Sequence, residues 1–109
     1  MAKQLPNQYI SIQRRFKKYF DATKNLGKVA SESGPINAKT SQLIQLAASA
    51  AIRSEGSVHS HTRRALDAGA KPEEIYHTII LLTSTIGFPT VSAALTWVDD
   101  IIKKKRSKK

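Results

Sequence analysis

The chain has no cysteine among its 109 residues. Disulfide bonds, thiolate metal sites and thiol-based catalysis are therefore excluded. Long apolar runs are also missing, since no stretch approaches the roughly 18 residues that a membrane-spanning helix needs. The start, Met1–Pro6, lacks the apolar segment of a secretory signal peptide, and residues 1–7 are typical of a disordered lead. We therefore expect a cytoplasmic protein without a membrane span.

Acidic residues are scarce. Eight Asp and Glu stand against 18 Lys and Arg, which gives a net charge of +10. Six of the last seven residues are basic, and without them the chain carries +4. Such a tail can bind nucleic acid, acidic lipid or an acidic protein, although a solvated chain end is the simpler interpretation. We predict one helical domain over residues 1–102, followed by a basic tail at residues 103–109.

Apolar residues recur at helical spacing along most of the chain. The pattern predicts an all-α fold of about five helices, at residues 8–25, 37–53, 57–68, 72–86 and 89–104, with a loop at residues 27–34. The fourth helix is apolar almost all round, which predicts burial in the bundle or between subunits. Trp97 lies off the apolar stripe of the last helix, which indicates a second contact surface such as an oligomer interface.

The first helix combines basic residues with an aromatic stripe that includes Phe16, Tyr19 and Phe20. Basic and aromatic side chains together can bind single-stranded nucleic acid, because bases stack on the rings. The rings share one apolar side of the helix, however, which favours packing against a neighbouring helix or subunit.

The sequence from Ser54 to Gly69 predicts a polar helix between two apolar helices. Ser54 and Ser57 suit its start, where hydroxyl groups cap free backbone N–H groups, and Gly69 suits its end. The spacing places Val58, His61, Ala65 and Ala68 on one helix face. Because that face is otherwise apolar, His61 needs a hydrogen-bond partner or a chemical task.

This stretch carries a family resemblance. Ser54, Ser57, His61, Ala65 and Gly69, at spacings of three, four, four and four, are followed by Pro72-Glu73-Glu74-Ile75 and later by Gly87-Phe88-Pro89. The combined pattern, over about residues 36–98, resembles the carboxymuconolactone decarboxylase family, which includes alkyl hydroperoxidase D. The resemblance implies an alkyl hydroperoxidase D-like helical bundle that forms homo-oligomers, often dimers and trimers assembled into hexamers.

The redox branch of that family has cysteines where this chain has Ser54 and Ser57, and a proton-relaying glutamate at the position that matches Gln42. A hydroxyl cannot form the reactive thiolate or the disulfide, and glutamine does not take up a proton near neutral pH. Of these four relay positions, only His61 is retained. We therefore expect no thiol peroxidase activity, although family membership alone would suggest it.

The remaining groups predict acid–base chemistry on, or binding of, a small organic acid, as the decarboxylase name implies. His61 would move the proton, and Arg53, Arg63 or Arg64 would hold a carboxylate. Hydroxyls and backbone N–H groups at the helix start would bind an anionic oxygen. The predicted catalytic residues are His61, Ser57, Ser54 and Glu55, and the predicted substrate-binding residues are Arg53, Gln42, His59 and Arg64.

Several alternatives remain open. His61 can be a structural histidine bonded to the backbone, with both serines acting as caps. A Ser57–His61 hydrolase pair is sterically feasible, but it lacks a nucleophile elbow and an evident orienting acid. The protein can also be a non-enzymatic oligomer that binds nucleic acid or an acidic partner. We predict no cofactor. We also predict no metal site unless subunits share the ligands, because His59 and His61 point about 200° apart on a helix.

Overall fold

The computed structural model describes residues 7–107, with side chains described as far as Lys104. The described chain forms seven helices and no β-strand, which confirms the predicted all-α fold. Residues 1–6 of the predicted lead and residues 108–109 of the tail lie outside this range. The helices are α1 (Asn7–Arg15), α2 (Lys17–Ser31), α3 (Ala38–Ala51), α4 (Glu55–Asp67), α5 (Pro72–Ile80), α6 (Thr83–Ile86) and α7 (Phe88–Ser107).

The chain divides into two compact units, Met1–Pro35 and Ile36–Lys109. In the first unit the single predicted helix is instead two, because the chain leaves helical geometry at Phe16 (φ −130°, ψ 60°). The second of these helices continues through Gly27 to Ser31, so most of the predicted loop at residues 27–34 is wrong. A lone glycine inside a helix costs only about 1 kcal/mol, which its neighbours can offset.

Packing within the first unit uses one ring of the aromatic stripe. Phe20 is buried and meets Tyr9 edge to face, with ring centroids 5.0 Å apart. Phe16 and Tyr19 are exposed. The expectation that the whole stripe packs against a neighbour is therefore met within this chain only at Phe20.

In the second unit, α3 packs along α4, and α7 packs against α4 and α5. Between these helices lies one continuous apolar core. Its side chains are small or branched, which lets the helices approach closely. The buried apolar residues are Leu46, Ala50, Val58, Ala65, Ala70, Ile75, Ile79, Val91, Ala94, Val98 and Ile102. Trp97 packs against this core, although it is only partly buried, so its predicted role at an oligomer contact is not needed to explain it.

Local signals set several helix ends as predicted. The Asn37 side chain accepts a hydrogen bond from the Thr40 N–H at 2.8 Å and caps α3. Gly69 takes the left-handed conformation (φ +98°) after α4, and the Ala70 N–H donates to the Ala65 carbonyl. This is the glycine-terminated end in which the freed carbonyls regain donors.

The predicted helix at residues 72–86 is interrupted. The chain leaves the helix after Ile80, where the Thr83 hydroxyl donates to the Ile80 carbonyl at 2.7 Å, and resumes as the short α6. Ile75 and Ile79 are buried, but Ile80 and Leu81 are exposed on this chain. Burial on all sides within the bundle is therefore wrong, whereas burial of the exposed part between subunits stays a prediction. None of the helices described between residues 7 and 107 is long and apolar enough to cross a membrane.

Candidate functional site

The start of α4 is built from a tight turn that follows α3. Arg53 has a positive φ of +57°, a conformation that favours glycine, and its guanidinium donates to Thr90 Oγ1 at 2.7 Å. The Ser54 N–H donates to the Ser49 carbonyl, and Ser54 Oγ accepts from the Ser57 N–H at 3.4 Å. Ser54 is thus the N-cap of α4, as the sequence predicted.

His61 and Gln42 form the central pair of the site. His61 Nδ1 lies 2.8 Å from Gln42 Oε1, across the interface between α4 and α3. Because an amide oxygen can only accept, His61 must donate the proton on Nδ1. The neutral ring therefore carries its lone pair on Nε2. The position that the family resemblance matches to a proton-relaying glutamate thus contacts His61 in this structure.

The environment of His61 favours the neutral imidazole. Burial lowers the pKa of His61 below its ordinary value, and the positive charge of Arg64 lowers the pKa further. The ring is only half-buried, whereas Thr62 next to it is fully buried. The predicted core-facing side of α4 is therefore rotated: Val58, Thr62 and Ala65 face the core, and His61 lies at its edge.

A second hydrogen-bonded group ties Ser57 to α3. The Ser49 hydroxyl donates to the Gln45 carbonyl at 2.8 Å, and Ser49 Oγ lies 2.6 Å from Ser57 Oγ. Since the single hydroxyl proton of Ser49 is already used, Ser57 must be the donor to Ser49. A serine nucleophile would instead donate to its histidine. With Ser57 directed to Ser49 and His61 Nδ1 directed to Gln42, the arrangement argues against a Ser57–His61 hydrolase pair.

The other predicted residues lie elsewhere on α4. Glu55 and His59 face α7, where His59 Nε2 is 2.9 Å from Asp100 Oδ2. Residues two positions apart on a helix point in nearly opposite directions, so this group and His61 lie on different faces of α4. The structure thus separates Glu55 and His59 from the Gln42–His61 pair, while Arg64 acts on His61 through its charge.

Three partners were not predicted from the sequence: Ser49, Thr90 and Asp100. Ser49 is the one hydroxyl in the run Ala47–Ala51, and its place in a small-residue stripe was a usable signal for contact with the next helix. Thr90 and Asp100 were not predicted because their partners lie 37 and 41 residues away. Only the packing of α7 against α4 defines such pairs.

The profile of the carboxymuconolactone decarboxylase family matches residues 17–100, and the chain belongs to this family. The match begins earlier than the predicted family region, which began at residue 36. A crystal structure with a similar fold is that of a Burkholderia xenovorans LB400 protein provisionally named a carboxymuconolactone decarboxylase. The two sequences are 23% identical, and the two structures are similar with a TM-score of 0.69. The matched region covers 96% of this chain and 85% of that chain. No curated protein matches this sequence.

Proposed function

We propose that this chain binds a small organic acid beside His61 and transfers a proton to or from it without redox chemistry. The observation that carries the proposal is the Gln42–His61 hydrogen bond, which fixes the tautomer of a half-buried imidazole. Membership of a family named for a decarboxylase supports an acid as the substrate class. The cysteine-free sequence supports a reaction that needs no thiol.

The proposed step uses His61 Nε2 as both base and acid. Loss of CO₂ from a carboxylate leaves the bonding electron pair on the carbon skeleton as an enolate, which must then take up one proton. Nε2 accepts a proton from water and delivers it to that carbon, so the overall step consumes one proton from solvent. Gln42 accepts from Nδ1 in the neutral and the charged ring alike, and therefore holds the ring still throughout the cycle.

Arg64 is the best candidate for attracting the carboxylate. It follows His61 by three residues on α4, is exposed, and is close enough for its charge to lower the pKa of His61. An exposed guanidinium can bind a carboxylate through two hydrogen bonds. Arg53 is less available, because its guanidinium already donates to Thr90. When an anionic acid neutralises the charge of Arg64, the part of the lowering of the His61 pKa that Arg64 causes is removed, so the imidazole takes up its proton more readily.

The test is turnover and binding of a panel of small acids, carboxymuconolactone among them, with protein kept in a metal chelator. CO₂ release measures turnover, and NMR shifts of the His61 ring protons measure binding. His61→Gln keeps a donor for Gln42 but removes the base, and should lower turnover by about 10²–10⁴-fold. His77→Gln is the matched control, since His77 is exposed on α5. Unshifted His61 signals with every acid, or full turnover by His61→Gln, would contradict the proposal.

We also propose self-association. Large apolar side chains are exposed where α3 and α5 end, among them Ile52 at 74% and Leu81 at 64%. Apolar surface of this kind is typical of contacts between subunits. Sedimentation velocity should give a dimer, trimer or hexamer. Ile52→Lys should shift the distribution toward monomer, whereas Lys28→Glu, at an exposed position in the first unit, should not.

Binding of nucleic acid through the basic first unit remains the second candidate, and one observation favours it. Tyr19 is 66% exposed and Phe16 is exposed with it, beside the cations Arg15, Lys17 and Lys18. Exposed rings among cations suit base stacking along a single strand. Fluorescence titration with a single-stranded oligonucleotide should then show affinity that falls steeply with salt and with Tyr19→Ala. Absence of binding at low salt would remove this candidate.

A further inference from the structure

Glu55, His59 and Asp100 form a cluster of potential metal ligands on the side of α4 away from His61. Each offers one ligand atom, and these atoms all lie within 4.8 Å of one another. We propose that this cluster binds a divalent transition-metal ion, with Zn²⁺ as the probe. The site is independent of the proposed acid–base function. It joins the first turns of α4 to the later part of α7, whereas the Gln42–His61 pair joins α4 to α3.

The backbone places two of the ligands in register. Glu55 and His59 are four residues apart on α4, so their side chains project from the same face, one turn apart. Asp100 comes from α7, which packs against α4. His59 Nε2 and Asp100 Oδ2 are already 2.9 Å apart. Around a tetrahedral ion with bonds of about 2.0–2.1 Å, neighbouring ligand atoms are about 3.4 Å apart. The 2.9 Å separation is somewhat shorter than this value, and the upper limit of 4.8 Å on the other separations is compatible with it.

Modest side-chain movement is enough to close the site. The Asp100 side chain is 48% exposed and Glu55 is exposed, so both carboxylates can rotate without disturbing the core. The His59 side chain is only 23% exposed, which makes its nitrogen the fixed point of the cluster. An ion inserted between His59 and Asp100 would replace their direct contact, and any proton on Nε2 would leave to solvent.

The donor set indicates which ions fit. One imidazole nitrogen and two carboxylate oxygens favour Zn²⁺ and its neighbours over Mg²⁺ and Ca²⁺, which prefer oxygen alone. Two carboxylates compensate the charge of a divalent ion, in a chain that has only eight acidic residues in total. Three protein ligands leave a fourth position for water. The bound ion would clamp the start of α4 to α7.

Isothermal titration of tag-free, chelator-treated full-length protein with Zn²⁺ tests the proposal. We expect saturable one-to-one binding by the wild type. His59→Gln and Asp100→Asn should each weaken it by at least about tenfold, since losing a direct ligand costs no less than the 10–100-fold typical of outer-shell losses. His77→Gln, a change at an exposed histidine outside the cluster, should bind like the wild type.

A second measurement needs no variant that might fold poorly. Co²⁺ in place of Zn²⁺ should give the strong visible absorption of a four-coordinate ion, and Zn²⁺ should displace it. No saturable Zn²⁺ binding by the wild type overturns the proposal, as does binding that is equally strong in His59→Gln. Visible absorption typical of six-coordinate aqueous Co²⁺ overturns it too.

Discussion

Replacing Thr62 with valine should stabilise the protein, because the hydroxyl of Thr62 is buried without a partner. Thr62 has no exposed surface, and its Oγ1 makes no hydrogen bond within residues 7–107. It lies on α4 between Val58 and Ala65, which are also fully buried. Valine has nearly the same shape and places a methyl group where the hydroxyl now lies among apolar neighbours.

The size of the effect follows from the cost of an unsatisfied hydroxyl. Burying such a group without a partner costs about 1–3 kcal/mol in proteins, and Thr62→Val removes this cost. The new methyl adds burial of apolar surface, whereas any misfit in packing subtracts from the gain. We expect the free energy of unfolding to rise by about 1–2 kcal/mol. For a domain of this size, each kcal/mol raises Tm by about 4–8 °C.

Urea denaturation followed by circular dichroism measures the change, provided that the m value is unchanged. Thr96→Val is the matched control, since Thr96 is exposed and its hydroxyl donates to the Ser92 carbonyl. It should change stability by no more than about 0.5 kcal/mol. Thr62→Ser keeps the hydroxyl and removes the methyl, and should destabilise the protein. If Thr62→Val is no more stable than the wild type, the reasoning is refuted, because the Thr62 hydroxyl then has a hydrogen-bond partner or a functional role.

Three further predictions concern helix ends. Ser54→Ala removes the cap of α4 and should cost about 0.5–2 kcal/mol in urea unfolding, with Ser54→Asp restoring most of the loss. Gly69→Ala has open space but a left-handed φ, so strain alone should cost about 1–3 kcal/mol in the same assay. The pKa of Glu74 is lowered by the backbone N–H of Lys71 and then by the Lys39 side chain. Its stabilising effect is therefore present above the ordinary glutamate pKa and lost as pH falls through the lowered one. Glu74→Gln should flatten this loss in unfolding measured from about pH 3 to 7, and an unchanged slope would contradict the assignment.

Helix ends that depend on local chemistry were predictable from the sequence. Asn37, Ser54 and Gly69 act at the helix ends where the sequence placed them, because capping involves groups only a few residues apart. The break at Phe16 was not predictable in the same way, since no glycine or proline marks it. At the exit after Ile80 the Thr83 hydroxyl bonds to the Ile80 carbonyl, a contact that is also compatible with a continuing helix and so gives no signal in the sequence.

The candidate site shows the same division between local and distant contacts. The family resemblance singled out both Gln42 and His61, but it did not predict their hydrogen bond, because the residues alone do not define how α3 and α4 pack. On the predicted core-facing side of α4, Val58 and Ala65 are buried as expected, but Thr62 rather than His61 points into the core. Asp100 and its pairing with His59 depend on how α7 crosses α4. Spacing within one helix cannot specify such a crossing.

The Ser57 hydroxyl fits closely into the interface between α3 and α4. Its oxygen lies 2.6 Å from Ser49 Oγ, a separation that suits two hydroxyls and is too short for a sulfur atom. A thiol there would have to rotate away or push α3 from α4, and it would leave the 4% exposed Ser49 without its donor. The interface between α3 and α4 is therefore adapted to a hydroxyl at this position. Introducing sulfur at position 57 would disturb the packing of α3 against α4.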